Sequence, residues 1–252
     1  YTDLRAASVA KIDRICRKLD LKPDDHLLEI GSGWGGFALY AAQQYGCRVT
    51  TTTISQEQYR LTRERVQAAG LDEKITVLCQ DYRDLRGQYD KLVSIEMIEA
   101  VGERHLNTYF RTCARLLKPQ GLMLLQAITI ADQKYAQYRH EVDFIRHYIF
   151  PGGFLPSLTA IADVLTGATD LRIFHLEDIG AHYATTLRHW RERFLANLDR
   201  VQALGFPDSF IRMWEYYLCY CEGGFRERAI GTVQLLLTKP RCRREPLTPA
   251  LT

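Results

Sequence analysis

The chain has 252 residues, 46% of them hydrophobic and 25% charged, with a formal net charge of +3. That length and apolar content suit one large α/β domain with an insertion, and so small a net charge argues against a dedicated nucleic-acid binder. No run approaches the ~20 apolar residues that a membrane-spanning helix needs.

The chain opens at Tyr1 in mid-pattern and without an initiator Met, so a further segment upstream is expected and a missing targeting signal says little. Seven cysteines (Cys16, Cys47, Cys79, Cys113, Cys219, Cys221, Cys242) are odd in number and show no CxxC pair or Cys/His zinc spacing. Reduced thiols in a cytosolic protein are expected, with no metal site. Cys219 and Cys221 read as packing. The basic tail Arg241-Cys242-Arg243-Arg244 reads as a solvated end, with attraction to anionic lipid as the alternative.

Residues 7–20 predict an amphipathic helix, with Val9, Ile12, Ile15, Cys16 and Leu19 at helical spacing. The apolar run Leu27 to Ile30 predicts a buried strand. It breaks at once into Gly31-x-Gly33-x-x-Gly36, and a helix pattern follows from Phe37 to Ala42. Strand, glycine turn and helix form the nucleotide-binding start of a doubly wound domain, where glycine lets backbone approach a ligand that a Cβ would meet. Further strands are expected at Arg48–Ile54, Ile75–Cys79, Tyr89–Ile95 and Gly121–Ile128. Helices are expected over 55–69 and 103–117, the latter stopped by Lys118-Pro119-Gln120-Gly121. This alternation predicts a parallel sheet covered on both faces.

The alternation then lapses. Residues 131–170 read as a polar helix, a loop from Phe150 to Pro156 and another helix. Arg172–Leu176 is the sixth strand, 183–228 is mostly helical, and Thr232–Thr238 is the seventh strand. The fold class is therefore α/β, a seven-stranded, mostly parallel Rossmann-like sheet with helices on both faces and a helical lid insertion. The whole of 1–252 is expected to be one catalytic domain. Its core would span about 7–130, 171–180 and 231–239, and its lid about 131–170 and 181–230. The lid is dense in aromatic side chains, which read either as ordinary helix packing or as a deep apolar pocket for a chain-like substrate.

A dinucleotide dehydrogenase keeps an acidic residue at the end of its second strand to bind ribose. Here that strand ends in Thr53-Ile54-Ser55, and the acid, Glu29, stands just before the first glycine. The arrangement resembles the S-adenosylmethionine (SAM) turn of class I methyltransferases. Four strings in order, LLEIGSGWGGFALYAA, TTTISQEQY, SIEMIEAVG and IFPGGFLPS, resemble the cyclopropane fatty acid synthase family, which includes the mycolic acid cyclopropane synthases. GAHYATTLRHWRERF and CEGGFRERAIG extend the likeness, which covers about residues 8–239.

The resemblance implies methyl transfer from SAM to a double bond of an unsaturated phospholipid acyl chain, followed by proton removal and ring closure. It places Gly31, Gly33 and Gly35 on the methionine part of SAM, with Glu29 supporting the turn. Thr53, Ile54 and Gln58 fall on the ribose side, Asp81 and Tyr82 at the adenine, and Ile95 offers backbone. Bound bicarbonate would serve as base, held by Glu99, Tyr183, the Ile128 backbone and an imidazole whose place here is taken by Gln126. Three departures bear on ring closure. Ala100 follows Glu99 where the family often has His, Gln126 replaces a His, and Glu96 stands where Gly is common. An altered deprotonation would favour a methyl-branched product.

The implied setting is cytoplasmic, peripherally attached to the inner membrane face through an apolar lid mouth and basic residues such as Arg188 and Arg191. A homodimer is compatible with it. A SAM-dependent methyltransferase of small molecules and a non-catalytic SAM- or lipid-binding module stay open as alternatives.

Overall fold

The computed structural model describes residues 3–247. Seven strands form one sheet in the order β3-β2-β1-β4-β5-β7-β6. They are β1 (His26–Ile30), β2 (Arg48–Thr53), β3 (Ile75–Cys79), β4 (Tyr89–Ile95), β5 (Leu117–Ile130), β6 (Arg172–Asp178) and β7 (Ile230–Thr238). β1 to β5 pair in parallel, and β7 runs antiparallel between β5 and β6. The α/β expectation, with its seven mostly parallel strands, is borne out.

Alternation along the strands fills two cores. Leu27, Val93, Leu124 and Leu236 face α1 (Leu4–Leu19), α2 (Gly36–Tyr45) and α3 (Gln56–Ala68). Their neighbours Leu28, Leu92, Leu125 and Leu237 face α4 (Leu106–Leu116) and α6 (Leu158–Ala168). This is the period-two rule of a strand buried on both faces. On α4, Tyr109 and Phe110 are fully buried, and Phe110 contributes on the order of 1.5–3 kcal/mol of transfer free energy.

The structure differs from the sequence reading at several boundaries. α1 begins at Leu4 because the Asp3 carboxylate caps it, accepting from the Ala6 amide at 2.7 Å; Val9 lies on its exposed side. α4 stops at Leu116, and Lys118–Gly121 belongs to β5, where the register against β4 slips between Tyr89 and Lys91. α6 falls inside the segment read as lid, yet it buries Ile161 and Leu165 in the core beneath α4. Arg244 is not a solvated end. Its guanidinium pairs with Asp20 at 3.1 Å and donates to the Arg17 carbonyl at the C-terminus of α1.

The remaining helices gather over the C-terminal edge of the sheet: α5 (Asp132–Tyr138), a π-helical turn at Ile145–Ile149, α7 (Gly180–Leu195), α8 (Leu198–Ala203) and α9 (Asp208–Arg226). α7 and α9 pack together through Tyr183, Leu187, Leu218 and Phe225. Gly180 allows α7 to start hard against β7, since a Cβ there would lie 3.0 Å from the Thr232 amide nitrogen. One turn later the helix delivers Tyr183 to the sheet edge. Strand order reverses between β1 and β4, which is where open α/β sheets bind ligands. No helix among the described residues is long and apolar enough to cross a membrane.

Candidate active site

β1 runs into the glycine turn with Gly31, Gly33 and Gly35 at φ +98°, +49° and +83°. The Gly31 and Ser32 amides donate to the Thr52 carbonyl at 3.0 and 2.9 Å, tying the turn to β2. The glycines differ in what excludes a side chain. A Cβ on Gly31 would meet Met97 at 3.1 Å, and one on Gly35 would meet Thr62 at 2.8 Å. At Gly33 a Cβ would meet nothing within 4 Å, so the backbone there faces open space at the start of α2. A cradle with that opening fits a ligand that needs close backbone approach.

The other residues assigned to the cofactor lie around this turn at the strand ends. Thr53 Oγ1 donates to Gln58 Oε1 at 2.7 Å and accepts from the Ser55 amide, so the end of β2 and the first turn of α3 hold each other. Ile54 is 77% exposed, unusual for a large apolar residue and consistent with a face kept for a ligand. Asp81 caps the short turn Tyr82–Asp84, and both its oxygens are engaged by Arg83. The Tyr82 ring meets Tyr109 edge-on. Ile95 ends β4 opposite Gln126. Glu29 is fully buried and accepts from Thr51 Oγ1 at 2.6 Å, and burial pushes its carboxyl up to about 8. Its hydrogen-bond partner is thus on β2.

A second cluster sits beside the turn at the ends of β4 and β5. Glu99 Oε1 accepts from the Ile128 amide at 2.6 Å, while Oε2 is buried without a partner. Burial pushes Glu99 up to about 7, opposed by that amide and reinforced by the charge of Glu96. The Glu99 carbonyl in turn accepts from Phe154 at 2.8 Å, anchoring the PGGF loop to the cluster. Gln126 is fully buried and donates through Nε2 to Glu96 Oε1 at 2.6 Å and to the Tyr183 hydroxyl at 2.7 Å. The Tyr183 hydroxyl donates to the same Glu96 oxygen. Burial, and then Glu96, holds that phenol well above its ordinary range, so it stays a donor. The four catalytic candidates, Glu99, Gln126, Ile128 and Tyr183, are brought together.

Glu96, a departure from the family pattern in the sequence, was not among the expected site residues. It follows β4 at φ +49°, a left-handed conformation that disfavours side chains other than glycine, Asn or Asp. Behind it runs a buried relay of donors. Lys18 Nζ donates to Gln234 Oε1 at 2.8 Å, and Gln234 Nε2 donates to Gln126 Oε1 at 2.9 Å. Lysine can only donate. Its position therefore fixes both amides so that Gln126 turns its NH2 group toward Glu96 and Tyr183. Lys18 also pairs with Glu177, which Arg14 reaches from outside. These polar residues left one signal in the sequence: Lys18, Gln126 and Gln234 each interrupt an apolar stripe or run.

The donors assigned to bicarbonate are therefore occupied by the protein itself. Tyr183 and Gln126 serve Glu96, and the Ile128 amide serves Glu99. A further anion would meet the Glu96 carboxylate and find these donors engaged. The site does not fit bicarbonate.

Aromatic rings surround the cluster: Tyr183 packs tilted against Phe225, and Tyr217 contacts both Trp214 and Phe150. Arg188 and Arg191, read as a basic pair, are engaged with Glu192 and Glu222.

The family profile described as mycolic acid cyclopropane synthetase matches residues 1–235. The chain is 44% identical over 239 residues to a tuberculostearic acid methyltransferase of Mycobacterium tuberculosis, covering 95% of this chain and 56% of that protein. It is 43% identical over 238 residues to the cyclopropane-fatty-acyl-phospholipid synthase of Escherichia coli, covering 94% and 59%. It thus spans a little over half the length of these curated relatives. Among solved structures, a mycolic acid cyclopropane synthase complexed with SAH and CTAB superimposes with a TM-score of 0.88 at 29% identity, covering 94% of this chain and 86% of the other. A glycine turn and a carboxylate cluster at one sheet edge, in a chain this similar throughout, lead to one assignment: the protein belongs to the mycolic acid cyclopropane synthetase family.

Proposed function

We propose that this chain is the catalytic domain of a SAM-dependent C-methyltransferase acting on a double bond in an unsaturated phospholipid acyl chain. The observation that carries the reading is the shared sheet edge. The open glycine turn after β1 and the carboxylate cluster after β4 and β5 meet where strand order reverses, beneath aromatic helices. The chain's similarity to a tuberculostearic acid methyltransferase and a cyclopropane-fatty-acyl-phospholipid synthase supports it.

Bound at the turn, SAM would supply an electrophilic methyl group on its sulfonium. Gly31, Gly33 and Gly35 hold its methionine part, Thr53, Ile54 and Gln58 its ribose, and Asp81 and Tyr82 its adenine. Ile95 borders the cofactor, and Glu29 braces β1 against β2 beneath the turn. An isolated alkene is a weak nucleophile, so the protein must align it and exclude water. The aromatic cover does both. Its π faces also stabilise positive charge left on the acyl chain, at about 2 kcal/mol or more when desolvated.

We assign the lid to about 131–157 and 181–230, with α6 as part of the core. Tyr148, Phe150, Trp190, Leu204 and Tyr216 are exposed on these elements. They suit peripheral attachment to a bilayer by apolar contact, beside Arg188 and Arg191, which lie next to Glu192 and Glu222. A small polar substrate would leave this apolar exposure without a use. Incubating the protein with methyl-labelled SAM and vesicles of unsaturated phospholipid should carry label into the lipid extract. Vesicles of saturated phospholipid should take up none, and equal labelling of both would refute the reading.

A further inference from the structure

Methyl transfer to an alkene leaves a cation that must lose a proton, and the cluster contains more acid than the assignment above employs. Glu96 is exposed at the end of β4, yet the partners of its carboxylate, Gln126 and Tyr183, are buried at 0% and 8% exposure. An exposed carboxylate held by buried donors through one oxygen is fixed in place while its other oxygen stays available to a ligand. Its backbone is held at φ +49°, a left-handed conformation that is strained in a residue with a Cβ. Strain of that kind persists where the surroundings over-determine it, and it is common at catalytic positions. The relay Lys18–Gln234–Gln126 sets the direction of every donor toward this one side chain.

We propose that the Glu96 carboxylate is the base of this enzyme, covalently built into the position where a bound anion would otherwise act. The inference rests on the reading of the site as an alkene methyltransferase. In the step, SAM's methyl carbon forms a bond to one alkene carbon as its bond to sulfur breaks, leaving the neighbouring alkene carbon cationic. A C–H bond of the new methyl group then breaks. Its electron pair forms the third bond of a cyclopropane ring, and its proton passes to a Glu96 oxygen. If the proton is taken instead from a chain carbon after a hydride shift, the electron pair forms a double bond beside a methyl branch. In both cases the same carboxylate accepts the proton. Tyr183 and Gln126 are positioning residues in this account, because they act through Glu96. The buried and unpartnered Glu99 Oε2 supplies a neighbouring acid rather than a second base.

The experiment compares the wild type, Glu96→Gln and Glu96→Gly in carbonate-depleted buffer and after adding bicarbonate. Each is assayed for modified lipid, for SAM affinity and for binding of 13C-labelled bicarbonate by NMR. Wild type should form product at the same rate in both buffers and bind no bicarbonate. Glu96→Gln keeps a hydrogen-bond acceptor but no base, and should lose on the order of 100-fold or more in rate with SAM affinity unchanged. Glu96→Gly suits the positive φ and frees both donors. It should fold, bind bicarbonate and regain activity only when bicarbonate is added. Wild-type product that depends on bicarbonate, or a Glu96→Gln variant of near-normal rate, would overturn the inference while leaving alkene methylation standing. A wild type that binds SAM but modifies no unsaturated lipid would refute both.

Discussion

The hydroxyl of Tyr183, on α7, and the side-chain amide of Gln126, on β5, converge on one oxygen of Glu96. The lid is thereby latched to the sheet by an exposed carboxylate. Replacing Tyr183 by Phe removes one charge-assisted donor, an interaction worth about 1.5–3 kcal/mol. If that stabilisation is felt in the transition state, the rate falls by about 10- to 100-fold. SAM affinity should stay within twofold, because Tyr183 belongs to the lipid side of the site. Single-turnover kinetics with calorimetric SAM titration separates the two effects.

The relay that orients Gln126 starts at a nearly buried ammonium. Burial lowers the Lys18 pKa, and its hydrogen bond to Glu177 opposes that. Hydrogen bonding from Arg14, with Lys18, holds Glu177 down to about 2. This depressed carboxyl contributes stability that is fully present above its ordinary value near 4.5 and is lost as pH falls toward 2. Lys18→Met should cost about 1–3 kcal/mol at neutral pH and flatten the acid limb of the stability curve. Urea titrations at pH 7 and pH 3 check both.

Glu29 and Glu99 carry the opposite sign. Burial raises them to about 8 and about 7, so the folded chain keeps protons that the unfolded chain releases near 4.5. Stability from these groups is therefore present at low pH and falls as pH rises through 7 and 8, by about 1.4 kcal/mol per pH unit for each group still protonated. Glu29→Gln, which stays neutral, should remove much of that slope. Melting temperatures of both proteins from pH 5 to pH 9 should diverge at the alkaline end, with the variant higher. Parallel curves would contradict the buried, neutral carboxyl.

Two glycines of the turn should fail differently. Gly35→Ala drives a Cβ into Thr62 and should lower stability by about 1–3 kcal/mol. Gly33→Ala meets no protein atom. It should cost only the roughly 1–2 kcal/mol of a left-handed alanine while weakening SAM binding severely. Thermal melts with and without SAM distinguish packing damage from ligand exclusion.

Much of the frame was legible because it is local. Leu27–Leu28 and Leu124–Leu125 announce strands buried on both faces, and the glycine turn is written in consecutive residues. The face of α4 was readable from the spacing of Leu106, Tyr109, Phe110 and Cys113, all of which are buried. Placing α6 in the core was not legible, since an amphipathic helix does not say which surface it covers. Nor was the direction of the relay, because Lys18, Gln126 and Gln234 lie on three separate elements joined only by the sheet. Glu96 stood out in the sequence as a replaced glycine. Its partnership with Tyr183, 87 residues away, needed the fold.

The central claim is tested most directly by mass spectrometry of phospholipid vesicles bearing one double bond per acyl chain, incubated with the protein and SAM, with Glu96→Gln as control. The account predicts the gain of one CH2 per modified chain, lost in the variant, and fragmentation then separates a ring from a methyl-branched alkene. Unchanged lipid masses, with SAM bound at the glycine turn, would contradict it.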